Sequence, residues 1–280
     1  MLLTEAEQLK EIIVVLLAGN PNLSATQIEN RLAAGSRPFS RRAIFKELKI
    51  LEQLGVLVNT NGHYALQLIW LINTTSLLRS AYLSYINTAS NLGIIPLAER
   101  TRFTFYDLSR LDYVWMQIIF VLQQVYPQSL IRIWKPEQWF HLVHIQIMDN
   151  FFSALGKLGA KQRHLIGHDC FTCRYGARLI PRRVGQVRFS SDTSQLGLNT
   201  YITLIGDHVI TIRLNAEFAR RMHVLFASIR NREEMFAPNV LDSLRGRVES
   251  SLLVEYRPKA LRALSNRFDM TFDRASGTDC

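Results

Sequence analysis

The chain has 280 residues, 48% hydrophobic and 20% charged, with 14 Gly and 8 Pro, a composition that excludes long disorder and collagen-like or mucin-like architectures. Its length suits about two domains, each able to bury a core without disulfide staples. Thirty-three Lys and Arg against 23 Asp and Glu leave a net charge of +10, which points to a polyanionic partner, nucleic acid or an anionic membrane. In chain order, Thr4 and Glu7 form a capping box ahead of Leu9, Ile12, Ile13, Leu16 and Leu17 at helical spacing, and Gly19-Asn20-Pro21 ends that first helix. Acidic residues precede this apolar run and no basic segment does, so the start reads as a folded helix and not as a signal peptide. Ser24 with Gln27 opens a second short helix through Ile28, Leu32 and Ala33, broken by Gly35-Ser36-Arg37-Pro38. Ser40 caps a third helix that runs to Leu54 and closes at Gly55.

In the third helix Ile44, Leu48 and Leu51 make a buried stripe, while Arg42, Lys46, Lys49 and Gln53 make a separate polar one. Val56-Leu57-Val58 and His63-Tyr64-Ala65-Leu66 flank an Asn61-Gly62 turn signal, a β-hairpin. Three short helices and a hairpin follow the order of a winged helix-turn-helix. The run SRRAIFKELKILEQLGVLVNTNGHYAL resembles the recognition helix and wing of winged-helix transcriptional regulators. The resemblance implies that Ser40, Arg41, Arg42, Phe45 and Lys46 enter a major groove, with Lys49 nearer the backbone and Asn59, Asn61 and His63 at the wing tip, and Arg37 is a further candidate for DNA contact. Arginine can grip guanine bidentately, and lysines and a capped helix start can hold phosphates. Residues 37 to 49 carry five basic side chains against Glu47, within a seventy-residue segment that nearly balances, seven basic against six acidic. Basic helix faces are also common as plain solvated surfaces, and winged helices also serve as protein-docking modules, so that alternative stands beside DNA binding.

Residues 66 to 95 repeat Leu71, Leu78, Tyr85 and Leu92, with Ala81, Tyr82 and Ala89 between, a helix-packing seam suited to homodimerisation. Arg79 is the one formal charge between Glu52 and Glu99, yet Gln67, Asn73, Thr74, Thr75 and Ser76 interrupt the stretch before about 18 apolar residues accumulate, so no membrane span and no membrane partner are expected. Gly93 and Pro96 close the connector. From about residue 100 the pattern alternates: strand 102–106, helix 111–125, strand 129–134, a long amphipathic helix 136–158, and strands at 162–166, 184–189, 201–205 and 208–214 before a helix at 216–229. This order resembles the effector domain of TrmB-type regulators, which is similar to one half of a phospholipase D fold. The best local match is LNTYITLIGDHVITIRLNAEFARRMHVLF. Active phospholipases D carry His-x-Lys-x4-Asp there, and Asn199, Tyr201 and Gly206 stand at those positions with Asp207 one place out of register. The resemblance therefore implies a ligand-sensing or dimerising domain without phosphodiester chemistry.

His164, His168, Cys170 and Cys173 fall within ten residues as H-x3-H-x-C-x2-C, all side chains that bind zinc. A redox dithiol and inert loop residues are the competing readings. Residues 161 to 188 hold seven basic side chains against Asp169, and Arg178, Arg182 and Arg183 are the candidates for an anionic effector. Glu137 and Asp149 near His141 and His144 form an acid/base set whose ordinary explanation is surface or core packing. No P-loop, Gly-x-Ser-x-Gly, His-Glu-x2-His or Gly-x-Gly-x2-Gly occurs. No motif calls for a cofactor, and zinc is the one metal the residues suggest. Three cysteines, Cys170, Cys173 and Cys280, suit a reducing compartment, hence a cytoplasmic expectation.

The fold class expected is α+β: a winged helix-turn-helix DNA-binding domain (1–66), a connector or dimerisation helix (67–95), an α/β effector domain (96–240) and a C-terminal helix and tail (241–280). The function expected is a homodimeric, sequence-specific transcriptional regulator of double-stranded DNA with a small-molecule effector. The alternatives are a nucleic-acid-processing enzyme whose winged helix positions substrate, and a protein-docking module.

Overall fold

The computed structural model describes residues 8–34, 39–92, 99–143, 145–190 and 197–277. The expected Thr4–Glu7 box, the Gly35–Pro38 break, Arg37, the closing Gly93 and Pro96, His144 and Cys280 lie outside the described residues. The chain divides into two compact units, Met1–Ser84 and Tyr85–Cys280, and mixes helices with two sheets.

The first unit runs α1 (Leu9–Gly19), β1 (Leu23–Ser24), α2 (Ala25–Ala33), α3 (Arg41–Gln53), β2 (Leu57–Thr60), β3 (His63–Leu66) and the start of α4 (Leu68–Leu92). Local chemistry sets each boundary. Ser24 Oγ accepts from Gln27 N while Gln27 Oε1 accepts from Ser24 N, a complete capping box. Ser40 Oγ accepts from Ala43 N at the start of α3. At the other end Gly55 takes φ +68, and Gly55 N and Val56 N return to the carbonyls of Glu52 and Leu51, a glycine-closed helix end. Asn61 and Gly62, at φ 54 and 79, turn β2 into β3 with Thr60 opposite His63, the two-residue geometry that demands left-handed backbone at both positions. The strands order as β1-β3-β2. Ile13, Leu17, Ile28, Leu32, Ile44, Leu48, Leu51, Leu57 and Tyr64 meet in one core. Along α4 the seam residues Leu71 and Leu78 are exposed, as are Leu68, Ile69, Ile72 and Leu77; the side chains of Tyr82, Tyr85, Ala89 and Leu92 are outside the described residues.

The second unit comprises β4 (Arg100–Phe105), α5 (Leu108–Val125), β5 (Leu130–Lys135), α6 (Phe140–Val143), α7 (Ile145–Lys157), β6 (Lys161–Ile166), α8 (Phe171–Arg178), β7 (Gly185–Phe189), β8 (Thr200–Ile205), β9 (His208–Leu214), α9 (Ala216–Ser228), α10 (Arg232–Met235), α11 (Pro238–Arg245), β10 (Ser250–Tyr256), α12 (Pro258–Arg274) and β11 (Ser276–Gly277). Its strands order β11-β7-β6-β5-β8-β9-β10-β4, with β5, β6 and β7 parallel and the other described pairs antiparallel. Side chains alternate across the sheet. Ile131 and Ile133 join Leu111, Trp115, Ile119, Phe152 and Phe226 in the main core, whereas Trp134 and Leu165 face Phe268 and Phe272 of α12. Helices thus cover both faces.

Three expectations are corrected. Residues 241–280 are not one helix and a tail: β10 lies between β9 and β4 in full register, and α12 covers the second face. The alternation of buried Ser250, Leu252 and Val254 is short and flanked by charge, which hides it in the sequence. The basic segment between β6 and β7 contains helix α8. The helix expected from Pro136 begins at Phe140, because Lys135 still belongs to β5 and Pro136 leads an irregular link.

Candidate functional site

Two places gather chemistry-bearing side chains. The first is the outer face of α3. Burial of Ile44, Leu48 and Leu51 fixes the helix's rotation and leaves Arg41, Arg42, Phe45, Lys46 and Lys49 exposed. Arg41 is engaged by its own chain, 3.6 Å from Glu29 and stacked over the Phe45 ring at 5.6 Å. In the hairpin Asn59 Oδ1 accepts from Gly62 N at 3.0 Å, and His63 Nδ1 lies 3.3 Å from the Asn61 carbonyl. Asn59 and Asn61 therefore shape the turn, and His63 lies exposed beside it.

The second place lies past the carboxyl ends of parallel β5 and β6, where open α/β sheets commonly hold their ligands. Gly167 N and His168 N bond the carbonyls of Lys135 and Pro136, tying the two strand-end links together. The link after β5 carries Glu137, fully buried. One of its oxygens takes His168 Nδ1 at 2.7 Å and His223 Nδ1, from α9, at 2.6 Å. The other accepts from Cys173 Sγ at 3.2 Å. Cys170 is the N-cap residue of α8 and Cys173 lies in its first turn; both are free thiols. Donor atoms of Glu137, His168 and Cys170 all lie within 4.8 Å of one another, so these three, with Cys173 and His223 alongside, are the residues able to hold a metal. The Cys173 and His168 hydrogen bonds bring Cys170 down to about 5. The Cys170 and Glu137 hydrogen bonds raise His168 to about 10, and burial pushes Cys173 up.

Beside this cluster is a buried polar layer of Lys135, His164, Asp112 and His141. Burial lowers Lys135 to about 7 and holds His164 well below its ordinary range. His164 Nε2 donates to Gln162 Oε1 at 2.7 Å, and its Nδ1 accepts from Lys135 Nζ at 3.0 Å. His164 is thus spent on the layer and does not join His168, Cys170 and Cys173, a correction to the expected quartet: strand parity turns it toward Lys135, and Gly167 redirects the chain before His168. Asp112 of α5 is fully buried, and burial drives its carboxyl upward. His141 is also buried, packed where a side chain at position 176 would clash, so that Gly176 is what lets α8 close on it. Asp149 is exposed. Sequence reading missed the convergence of Glu137 and His223 with the cysteines.

The basic segment separates into two groups. Arg163 and Arg188 reach α12, through Asp269 and the Phe272 carbonyl, Arg174 pairs with Asp169 at 2.6 Å, and Lys161 donates to the Arg183 carbonyl. Arg178, Arg182 and Arg183 point to solvent. A separate cavity of about 350 Å³ opens beside α9 and α11, lined in part by Phe218, Arg221, Met222, Asp242 and Arg247.

No protein-family model and no curated protein matches the chain. Among solved structures it is similar to TrmBL2, an archaeal chromatin protein with a novel mode of DNA binding, at 11% identity over 96% of this chain and 94% of that one, TM-score 0.39. It is also similar to Nuc, a phospholipase D family member from Salmonella typhimurium, at 11% identity over 65% of this chain and all (100%) of that one, TM-score 0.39. NucT from Helicobacter pylori is similar at 10% identity, over 64% and 98% of the two chains, TM-score 0.36. Among the described residues no helix is long and apolar enough to cross a membrane.

Proposed function

We propose that the protein is a homodimeric, sequence-specific DNA-binding regulator whose first unit is a winged helix and whose second unit senses a ligand without catalysing phosphodiester hydrolysis. The observation that carries the reading is α3: one row wholly buried, the opposite row exposing Arg42, Lys46 and Lys49 beside Phe45. A helix so held presents a rigid fork and two point charges at the spacing of a major groove. The order of three helices, a minimal strand and a two-residue hairpin supports the winged-helix reading. Exposed leucines and isoleucines along α4 support pairing of two copies, since contiguous apolar surface of this kind marks interaction sites. At the positions corresponding to a phospholipase D motif, Asn199 spends its amide on the Leu214 carbonyl, Tyr201 is buried in the core and Gly206 makes a turn, roles that are structural.

The test is selection on random duplex DNA followed by salt titration of the enriched site. A two-fold symmetric site with half-sites about one helical turn apart is expected. Arg42→Ala should cost about 1–3 kcal/mol and relax preference at one base position, while Lys49→Ala should weaken all sequences evenly and lower the salt slope by roughly one. Uniform loss on every sequence for both variants would remove the groove-reading role of α3, and no enrichment at all would remove the regulator.

A further inference from the structure

The expected zinc quartet fails at His164, yet the structure supplies a different set around a carboxylate. We propose that Glu137, His168, Cys170 and Cys173 bind one zinc ion, with His223 holding the Glu137 carboxylate from outside the coordination shell.

Three observations carry this. The first is convergence: two separate parts of the sequence, the link after β5 and the segment that runs from the link after β6 into the first turn of α8, bring carboxylate, imidazole and thiol donors together, and α9 supplies His223 behind the carboxylate. Tetrahedral zinc, at about 2.0–2.1 Å from nitrogen or oxygen and about 2.3 Å from sulfur, needs donors roughly 3.2–3.8 Å apart. The Glu137, His168 and Cys170 donors already lie within 4.8 Å, and Cys173 Sγ is 3.2 Å from the carboxylate. The second is charge: Glu137 is fully buried, and among the described residues its ion-pair partners are the imidazoles of His168 and His223. A buried carboxylate beside two thiols is an anionic, partly soft donor set that a divalent cation balances. The third is the outer shell. The Gln138 N–H points at Cys173 Sγ at 3.3 Å, and His223 Nδ1 donates to the carboxylate at 2.6 Å. Metal sites use such second-layer hydrogen bonds to aim their ligands. Four protein ligands close the shell, so the ion would clip the β5 and β6 links to α8 and carry out no hydrolysis of its own.

The 280-residue chain, purified under reducing conditions and stripped with a chelator, is titrated with zinc against a chromophoric chelator and, separately, with cobalt(II). Binding of one zinc per chain is expected, with a tetrahedral cobalt spectrum carrying thiolate-to-cobalt charge transfer. Cys170→Ser and Glu137→Gln should each weaken zinc at least ~100-fold, His223→Gln about 10- to 100-fold, and His164→Gln should leave affinity unchanged. If Cys170→Ser fails to fold, the cobalt spectrum of the unaltered protein still decides, because thiolate charge transfer requires cysteine at the metal. An octahedral spectrum without charge transfer, binding well below one ion per chain, or zinc affinity lost in His164→Gln and kept in Glu137→Gln would overturn the assignment.

Discussion

His141 offers the sharpest physical prediction. Its ring is fully buried in α6, burial together with the nearby Lys135 charge lowers it from 6.5 to about 3, and neither ring nitrogen has a hydrogen-bond partner in the structure. The folded protein therefore refuses a proton that the unfolded chain accepts. Unfolding is favoured as pH falls through 6.5, and the loss stops growing only below about 3. At about 1.4 kcal/mol per unit, the 1.5 units from 6.5 to 5 cost about 2 kcal/mol relative to pH 8. His141→Leu removes the titrating ring at similar volume, so its stability at pH 8 should change by less than about 1.5 kcal/mol, while the pH 8-to-5 loss should shrink by about 2 kcal/mol. Urea midpoints followed by tryptophan fluorescence report the right unit, since Trp115, Trp134 and Trp139 are buried there. His164, lowered in the same sense, and His168, shifted oppositely, are present in both proteins and cancel in the difference. Equal pH losses in the two proteins, within about 0.5 kcal/mol, would show that His141 titrates normally and that the layer beside Glu137 is wet.

Other expectations follow from single contacts. Asp269 accepts from Arg132 at 2.8 and 3.1 Å and from Arg163 at 3.1 Å; burial raises its carboxyl, but those two arginines hold it below its ordinary value. Asp269→Asn should cost about 1–2 kcal/mol above pH 5, and the cost should vanish as acid protonates the carboxylate in the unaltered protein, read from paired melts across pH. Gly206 takes φ +55, and a Cβ there would fall 2.2 Å from the Tyr126 ring, so Gly206→Ala should lose more than about 2 kcal/mol in a denaturant titration. A chain ending at Arg245 lacks β10 and leaves β9 and β4 without their shared partner; its second unit should show no cooperative thermal transition, and a retained one would refute the placement of β10.

The first unit was legible because its signals are local. Ser24 with Gln27, Ser40, Gly55 and Asn61-Gly62 each act within four residues, and the structure puts all of them to the expected use. The second unit's strands from 100 to 214 were legible for the same reason, through period-two alternation. Where the decisive contact is remote, the reading failed: Ser250 pairs with Phe105 and Leu214, and nothing near residue 250 records that two strands wait for a third. α8 was hidden by its arginines, which look like a solvated loop until the buried Cys173, Gly176 and Ala177 are seen to share one face.

The site divides along the same line. His168, Cys170 and Cys173 are neighbours in sequence, so chelate spacing drew attention to them, and that spacing also drew in His164. Spacing counts residues and ignores direction. In a strand, residues 162, 164 and 166 share a face, so His164 was bound to point where Gln162 points; only the residues beyond Gly167 could turn toward α8. Glu137 and His223 stand 31 and 86 residues from the groups they meet, and no one-dimensional pattern ranks them above other acids and histidines. What singles Glu137 out is three-dimensional: a carboxylate removed from water at the end of a parallel strand, with imidazole and thiol as its partners. Burying a charge is expensive unless something compensates it, so such a residue is retained where a proton, a cation or a ligand balances it.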